Sequence, residues 1–380
     1  MNFELSDEQL AIRDAARELL ANRWNRAANR AALMKPPACI SAALWTELAG
    51  LGWFGIACDE AFGGSAQDLV TAAILVEEAG RALLPGLLTS TLSAAAALNR
   101  CADAAIQQAF LPDLIAGRKT WSLAYEEDNG GWGPDTIELT ATALGDQDHL
   151  TVNGTKILVP SGAQADYFLV ALRGAGGLCL APVAADVPGL TITAMPRIDA
   201  EDLVQLRFEQ LMIRHDGTLG ANDSGGRLVR DVYAIGTVLT AASLLGNAEA
   251  LLQMTTDYAR QRVQFGRPIG SFQAVSHRLA DVLVNVEIGR SLLYGACLSL
   301  EERRDDASAL VSAAKSWLSD TAVHAAEAAL QLHGGIGYTW ELDVHLYLRR
   351  VRAEALAFGD ADYHRARIAR YLVGRLTTTT

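Results

Sequence analysis

The fold is decided by the stretch Arg260-Gln-Arg-Val-Gln-Phe-Gly-Arg-Pro-Ile-Gly-Ser-Phe-Gln273. A long apolar helical pattern ends on its arginines, a glycine- and proline-containing turn follows, and a second helical pattern begins near Ser271. Guanidinium groups bind phosphate as a fork and phenylalanine offers an apolar plate, so the stretch suits an anion joined to a flat ring. A helix hairpin with a charged C-terminus accounts for the same residues. The stretch alone leaves both interpretations open.

A second glycine motif, Gln331-Leu-His-Gly-Gly-Ile-Gly-Tyr338, ends a later helical pattern. Its glycines suit a helix C-terminus. They also let a backbone approach a bound group closely, and Gln331 adds an amide at the helix end. An ordinary glycine cap is the simpler interpretation of this motif taken by itself.

Composition limits the class of protein. The chain has 380 residues, of which 50% are hydrophobic and 20% charged, which predicts two or three domains with substantial cores. The net charge of −12 argues against a general nucleic-acid-binding surface, whereas a nucleotide cofactor needs only a local basic patch. The five cysteines are scattered and none forms a CxxC pair, so no metal site is expected.

The chain carries no predicted leader or membrane segment. Its N-terminus is acidic where a signal peptide would be basic, so a cytoplasmic location is expected. The longest uncharged run, Val232–Ala248, is slightly short of a membrane span and is interrupted by glycines. We interpret this run as a buried helix of a bundle.

Periodicity divides the chain into three parts. Residues 1–118 show helical patterns and form a predicted N-terminal α-helical domain, which begins with a capping box at Ser6 and Gln9. Residues 119–225 contain short apolar strands and form a middle β-domain. In it, Asn153-Gly154 between two apolar runs predicts a hairpin. Residues 226–380 return to long helical patterns and form a predicted C-terminal helical bundle.

Several common nucleotide and metal motifs are absent from the sequence. No GxGxxG follows a predicted strand, and neither a GxxxxGK[ST] loop nor an HExxH helix occurs. The order helical domain, β-domain, helical bundle also differs from the alternating pattern of nicotinamide dehydrogenases.

In this order, the two motifs resemble those of the acyl-CoA dehydrogenase family, and the resemblance covers nearly the whole chain. Arg349 falls where a helix of the family usually carries arginine. Four more stretches look like family landmarks: Glu60-Ala-Phe-Gly-Gly64, Val76-Glu-Glu-Ala-Gly-Arg81, Leu111-Pro-Asp-Leu-Ile-Ala-Gly117 and the hairpin Val152-Asn-Gly-Thr-Lys156.

The resemblance implies a fold, a cofactor and an assembly. It implies an α+β multidomain protein with a helical domain, a β-barrel domain and a four-helix C-terminal bundle, assembled as a dimer or a tetrameric dimer of dimers. It implies a flavoprotein oxidoreductase that oxidises the CH–CH bond of an acyl-CoA in fatty acid or steroid degradation. Electron-transfer flavoprotein is the implied acceptor. FAD would lie between subunits, and the implied cofactor-binding residues are Arg262, Phe265, Ile269, Phe272, Gln331 and Gly335.

The chain departs from the family where the catalytic glutamate is expected. Counting from the glycine motif places that position on Phe358, and the alternative position used by other members falls on Gly236. The family loop that touches flavin and substrate is replaced by Tyr125-Glu-Glu-Asp-Asn-Gly-Gly-Trp-Gly-Pro-Asp135. The tryptophan and threonine that usually flank the flavin become Leu158 and Pro160.

Three hypotheses follow from the missing glutamate. The base could be displaced to Asp360, although Asp360 and Asp362 could instead cap the next helix, a role that suits Asp362 better. The chain could be the base-lacking subunit of a heteromeric enzyme, similar to subunits of steroid side-chain dehydrogenases. It could also be a catalytically inactive binding or scaffold protein of the family fold.

Overall fold

The computed structural model describes residues 5–144, 149–214, 217–220 and 225–378. The chain divides into two compact units. Unit 1 comprises Met1–Arg26, Ala73–Leu84 and Thr237–Thr380, and unit 2 comprises Ala27–Ala72 and Pro85–Gly236. The domain boundaries at residues 118 and 225 stay predictions.

Helices dominate both ends of the chain. The structure has α1 (Asp7–Arg23), α2 (Arg26–Leu33), α3 (Ala42–Gly50), α4 (Leu69–Arg81), α5 (Leu87–Arg100), α6 (Ala104–Ile115), α7 (Gly225–Gln261), α8 (Gln273–Glu301), α9 (Ala307–His333), α10 (Val344–Glu354) and α11 (Ala361–Thr378). The predicted start of α1 is confirmed, because Ser6 Oγ accepts the backbone N–H of Gln9 at 3.2 Å and Gln9 Oε1 accepts that of Ser6 at 3.1 Å.

The strands lie mainly in the middle of the chain. They are β1 (Trp121–Ala124), β2 (Ala141–Leu144), β3 (His149–Pro160), β4 (Tyr167–Gly174), β5 (Gly177–Ala184), β6 (Leu190–Ala194), β7 (Leu203–Arg214), β8 (Val263–Gln264) and β9 (Arg267–Pro268). One sheet has the order β1-β4-β5, a second has the order β2-β3-β7-β6, and β8 pairs with β9. Side chains from both larger sheets, such as Phe168 and Phe208, belong to one buried cluster.

The predicted closed barrel is not confirmed. Among the described residues, the two larger sheets are open in their strand order, with β1 and β5 at the edges of one and β2 and β6 at the edges of the other. Strand β7 is not among the strands expected from the sequence, although Val204, Leu206 and Phe208 alternate as buried residues along it.

The hairpin predicted at Asn153-Gly154 is wrong. Strand β3 runs straight through this pair, and its partner β7 continues alongside both halves with a register shift between Val152 and Gly154. Gly154 has a φ of +142°, and Asn153 Oδ1 accepts the backbone N–H of Gln210 at 2.8 Å. Asn153 therefore lies opposite a β-bulge in β7, formed by Glu209 and Gln210, because one long partner strand is available to both apolar runs.

Helix α7 is long and apolar enough, by length and composition, to cross a membrane. In the structure, 83% of its most apolar window is buried within the protein, which is the behaviour of a core helix. The interpretation of Val232–Ala248 as a buried helix is confirmed.

Candidate functional site

The stretch Arg260–Gln273 forms a small β-hairpin between α7 and α8. Strands β8 and β9 pair antiparallel, and Phe265 and Gly266 form the two-residue turn with φ angles of +53° and +80°. Such a turn favours Asn-Gly, whereas a bulky side chain at positive φ is strained. The Phe265 side chain is nevertheless 93% exposed. A strained backbone that holds an aromatic ring in solvent points to a binding role.

Aromatic and cationic groups surround the hairpin. The guanidinium carbon of Arg267 lies 4.1 Å from the ring centroid of Phe272, and the rings of Phe265 and Phe272 are 6.1 Å apart and nearly perpendicular. The backbone N–H of Ile269 donates to the carbonyl of Arg262 at 2.8 Å, and the Arg262 side chain is exposed. The hairpin thus presents cations beside apolar plates, as an anion attached to a flat ring requires.

The glycine motif ends α9 with an open backbone. Gly334 has a φ of +64°, and a Cβ placed on Gly334 or Gly335 would meet no atom within 4 Å. Gln331 is exposed in the last turn of α9. This helix end therefore leaves room for a group to approach the main chain closely.

The structure brings the two motifs together within unit 1. Tyr258, one turn before Arg262, stacks on His333 at a centroid separation of 4.3 Å, and its hydroxyl donates to the His333 carbonyl at 3.5 Å. The His333 Nδ1–H donates to the Ala329 carbonyl at 2.8 Å, which fixes the ring against α9. The end of α7 and the end of α9 are thus held side by side.

A cavity of about 680 Å³ opens between α7 and α8 next to the hairpin. It is lined by Arg260, Pro268 and Ser271, among other residues, and none of the six predicted cofactor-binding residues is in its lining. The predicted cofactor-binding groups thus lie on other faces of the hairpin and at the end of α9.

The two expected base positions carry no carboxylate in the structure. Phe358 lies in the turn between α10 and α11 with a φ of +57°, and Gly236 is buried within α7. Asp360 Oδ1 accepts the backbone N–H of Tyr363 at 2.8 Å, so this carboxylate caps α11. The cap expected at Asp362 is wrong, because Asp362 points outward and pairs with Arg365 at 2.7 Å.

A buried ion pair supports the divergent loop of unit 2. The fully buried Lys156 Nζ donates to Glu127 Oε1 at 2.6 Å and to the carbonyl of Tyr125 at 2.8 Å. Burial lowers the pKa of Lys156 to about 8, against the opposing effect of Glu127. Burial raises the pKa of the neighbouring Glu126 to about 7. Lys156 ends a stretch that resembles a family landmark, and Glu126 and Glu127 lie in the divergent loop, but the sequence alone assigns no chemical role to any of them.

Leu158, which replaces the usual tryptophan, also has strained geometry. It lies in the second irregularity of the β3–β7 pairing with a φ of +53°, and its side chain is 39% exposed. Unit 2 thus presents an apolar residue from a left-handed backbone position, as the hairpin of unit 1 does with Phe265.

Sequence comparisons identify relatives of the whole chain. Residues 6–118 match the family model for the acyl-CoA dehydrogenase N-terminal domain, and residues 223–373 match the model for the C-terminal domain. An acyl-CoA dehydrogenase of Bacillus subtilis (strain 168) is 30% identical over 334 residues, covering 85% of this chain and 87% of that protein. The acyl-CoA dehydrogenase IpdE2 of Mycobacterium tuberculosis (strain ATCC 25618 / H37Rv) is 31% identical over 358 residues, covering 92% of each.

Solved structures show the same fold. A variant of the steroid ACAD Tcur3481-Tcur3483 has a TM-score of 0.89 and 30% identity, covering 98% of this chain and 99% of that one. The ChsE4-ChsE5 complex from Mycobacterium tuberculosis has a TM-score of 0.90 and 26% identity, with the same coverages. The FAD complex of PigA has a TM-score of 0.90 and 26% identity, covering 99% of this chain and 100% of that one. The chain therefore belongs to the acyl-CoA dehydrogenase family, whose members are oxidoreductases acting on the CH–CH bond of acyl-CoA.

Proposed function

We propose that the chain is an FAD-binding subunit of a heteromeric acyl-CoA dehydrogenase, in which an unlike subunit supplies the catalytic carboxylate. The observation that carries this proposal is a contrast within unit 1. The hairpin holds Phe265 in solvent at a backbone position that disfavours phenylalanine, while the α10–α11 turn carries Phe358 where a base is expected. Cofactor-binding features are retained and the base is not.

The residues of the chain fit FAD. Arg262 and Gln331 would hold the pyrophosphate, next to the open main chain at Gly335. Phe265, Ile269 and Phe272 would line the adenosine side. When bound, FAD supplies the acceptor for the hydride that leaves the β-carbon of the acyl group. As in the family arrangement, this half of the pocket would serve the cofactor of a neighbouring subunit.

Abstraction of the α-proton needs a carboxylate within hydrogen-bond reach. Phe358 and Gly236 cannot accept a proton, and the Asp360 carboxylate already caps α11. A carboxylate from another chain would supply the missing proton acceptor. The alternative is an enzyme of identical subunits in which Asp360 acts as a displaced base.

Two of the similar structures support an unlike partner. Each is named for two proteins, Tcur3481 with Tcur3483 and ChsE4 with ChsE5, and the first is described as a steroid ACAD. The FAD complex of PigA supports the cofactor. By this likeness we propose a bulky, steroid-derived acyl-CoA as substrate, with a fatty acyl-CoA as the alternative.

The remaining parts of the proposal concern assembly and setting. We propose a dimer or a dimer of dimers, with a β-barrel-like middle domain at residues 119–225 between helical domains at 1–118 and 226–380. Electron-transfer flavoprotein would accept the electrons, and the complex would work in the cytoplasm.

The proposal is tested by expressing the chain alone and together with the product of a neighbouring dehydrogenase gene. We expect the pair to purify as one yellow complex whose flavin absorbance is bleached by a steroid side-chain acyl-CoA, while the chain alone shows no rapid bleaching. Arg262→Ala should weaken FAD binding in the complex. Arg207→Ala, which removes another exposed arginine, should leave it unchanged.

Rapid bleaching of the chain alone would contradict the need for an unlike subunit. A colourless chain that takes up no added FAD, alone or with its partner, would favour the scaffold alternative. The exposed position of Phe265 counts against that alternative, because a scaffold that binds no cofactor does not require an aromatic side chain held in solvent by a strained backbone.

A further inference from the structure

The turn between α10 and α11, residues Ala355–Asp360, has an unusual backbone. Phe358 and Gly359 are consecutive left-handed residues with φ angles of +57° and +98°. Glycine adopts such angles freely, whereas phenylalanine does so only when surrounding contacts hold it there. Side chains from two neighbouring helices supply those contacts.

Lys315 of α9 binds the turn from the interior. It is fully buried, and its Nζ donates to the carbonyl oxygens of Ala355 at 2.9 Å and Gly359 at 3.1 Å. The third N–H donates to Ser319 Oγ at 3.0 Å. An ammonium group has three donors, and here each has an acceptor.

His364 of α11 binds the turn between those two carbonyls. Its Nε2 lies 3.0 Å from the carbonyl oxygen of Phe358, which can only accept, so Nε2 carries the proton. Nδ1 then accepts the hydroxyl of Ser312 at 3.3 Å. His364 is buried, and burial lowers its pKa to about 3 with a further contribution from Lys315, so the ring is neutral.

We propose that Lys315 and His364 are positioning residues that fix the backbone of the α10–α11 turn. The side chain at position 358 therefore points in the same direction whether it is phenylalanine or a carboxylate. This inference rests on the proposed function for the claim that position 358 faces the acyl thioester. The chain thus holds this turn in place while carrying phenylalanine, not a carboxylate, at position 358.

The sequence contained a signal for this arrangement. Lys315 lies on the same stripe of α9 as Val311, Leu318 and Ala322, where an unpaired lysine would be costly. A lysine in an apolar stripe indicates buried acceptors, but the sequence does not say which carbonyls provide them.

The charge on Lys315 depends on pH. Burial lowers its pKa to about 7, while the carboxylates of Glu354, Asp360 and Asp320 act in the opposite direction. Because the closed turn lowers this pKa, loss of the proton favours the closed turn over one in which Lys315 is exposed to water. His364 remains neutral over this range, and the charge of Arg367 also acts to lower its pKa.

Hydrogen exchange of the purified full-length chain tests the proposal. In Lys315→Met we expect protection factors of the amides at 356–360 to fall about tenfold or more, since several hydrogen bonds are lost. In the unmodified chain the same protection factors should rise as pH increases from about 6 to 8.5, because an opened turn exposes Lys315 and binds a proton that the closed turn has released. Lys315→Met should abolish that pH profile.

Lys156→Met is the matched control, because it removes another fully buried lysine that donates to a carbonyl, but in unit 2. It should lower stability and leave both the exchange and the pH profile of 356–360 unchanged. Unchanged exchange in Lys315→Met, or an equal effect of Lys156→Met, would overturn the proposal.

A second measurement separates this inference from the proposed function. Phe358→Glu is made in the FAD-loaded protein, and octanoyl-CoA and a steroid side-chain acyl-CoA are the probes. The α-carbon would give its proton to the introduced carboxylate and the β-carbon its hydride to the flavin, so the thioester becomes the α,β-enoyl product. We expect flavin bleaching, and adding Lys315→Met should lower kcat much more than it changes KM.

The outcomes of the two measurements are distinct. Altered exchange without bleaching in Phe358→Glu supports the positioning role and counts against the proposed function. Equal kcat with and without Lys315→Met in the Phe358→Glu background would overturn the positioning role and leave the proposed function standing.

Discussion

At the residue scale, whether this chain has a catalytic base of its own depends on one carboxylate. Asp360 is the candidate for a displaced base, and in the structure its Oδ1 caps α11 through the backbone N–H of Tyr363. Asparagine caps a helix as well as aspartate does but cannot act as a base, whereas alanine does neither. Two substitutions at this position therefore separate the structural role from the catalytic one.

We expect Asp360→Asn to keep both the stability of the chain and the turnover of the complex. Asp360→Ala should lower the free energy of unfolding by about 0.5–2 kcal/mol, measured by urea titration, because the cap is lost. A large loss of turnover in Asp360→Asn at unchanged stability would instead identify Asp360 as the base.

At the element scale, the β8–β9 hairpin shows strain kept for binding. Phe265→Asn introduces the Asn-Gly turn that this geometry favours. We expect unfolding stability to stay equal or rise by up to about 1 kcal/mol, while the affinity for FAD falls. Met34→Asn, which also removes an exposed apolar side chain, should not change FAD affinity. Unchanged FAD affinity in Phe265→Asn would rule out the proposed role of the ring.

Two helices of unit 1 approach closely through glycines. A Cβ on Gly246 of α7 would overlap the carbonyl oxygen of Glu77 in α4, and one on Gly80 would overlap that of Ser243. Both glycines lie inside helices. They are needed because backbone meets backbone at this crossing.

Gly246→Ala should therefore destabilise unit 1 by at least about 2 kcal/mol through overpacking. Gly374→Ala is the matched control, since nothing lies within 4 Å of a Cβ at that helical position. It should be neutral or stabilising by up to about 1 kcal/mol, as alanine favours helix. Equal urea midpoints for the two variants would show that α4 and α7 can separate without cost.

At the scale of the whole molecule, buried ionisable groups set the response to pH. His364 has a pKa lowered from 6.5 to about 3, mainly by burial. Between these values the unfolded chain binds a proton that the folded chain does not. The stability present above pH 6.5 is therefore lost as pH falls toward about 3, by up to about 1.4 kcal/mol per pH unit.

His364→Gln should flatten this part of the stability–pH curve, because glutamine does not titrate and its amide can still donate to the Phe358 carbonyl. The measurement is the urea midpoint at several pH values between about 3.5 and 7. His324→Gln, on the exposed side of α9, should keep the slope of the unmodified chain. A slope unaffected by His364→Gln would mean that other groups govern acid unfolding.

The long helices are the most predictable part of the molecule. The long helical patterns expected within residues 226–380 appear as helices such as Gln273–Glu301 and Ala307–His333, because a repeat near 3.6 residues holds over many turns. The strands are less predictable, since β7 is not expected from the sequence and Asn153-Gly154 is expected to form a turn. Strand pairing depends on a distant partner, which a local pattern does not reveal.

By itself, the sequence determined the family, the helices and the candidate cofactor motifs, because hydrophobic periodicity and glycine-flanked arginines are local features of the chain. Only the tertiary structure decided that Asp360 rather than Asp362 caps α11, and that Lys315 and His364 hold the turn carrying Phe358. The Lys315 contacts join α9 to the turn between α10 and α11. The Asp360 cap and the His364 contact are local and depend on where α11 begins. Which buried donor meets which carbonyl is set by how those helices pack.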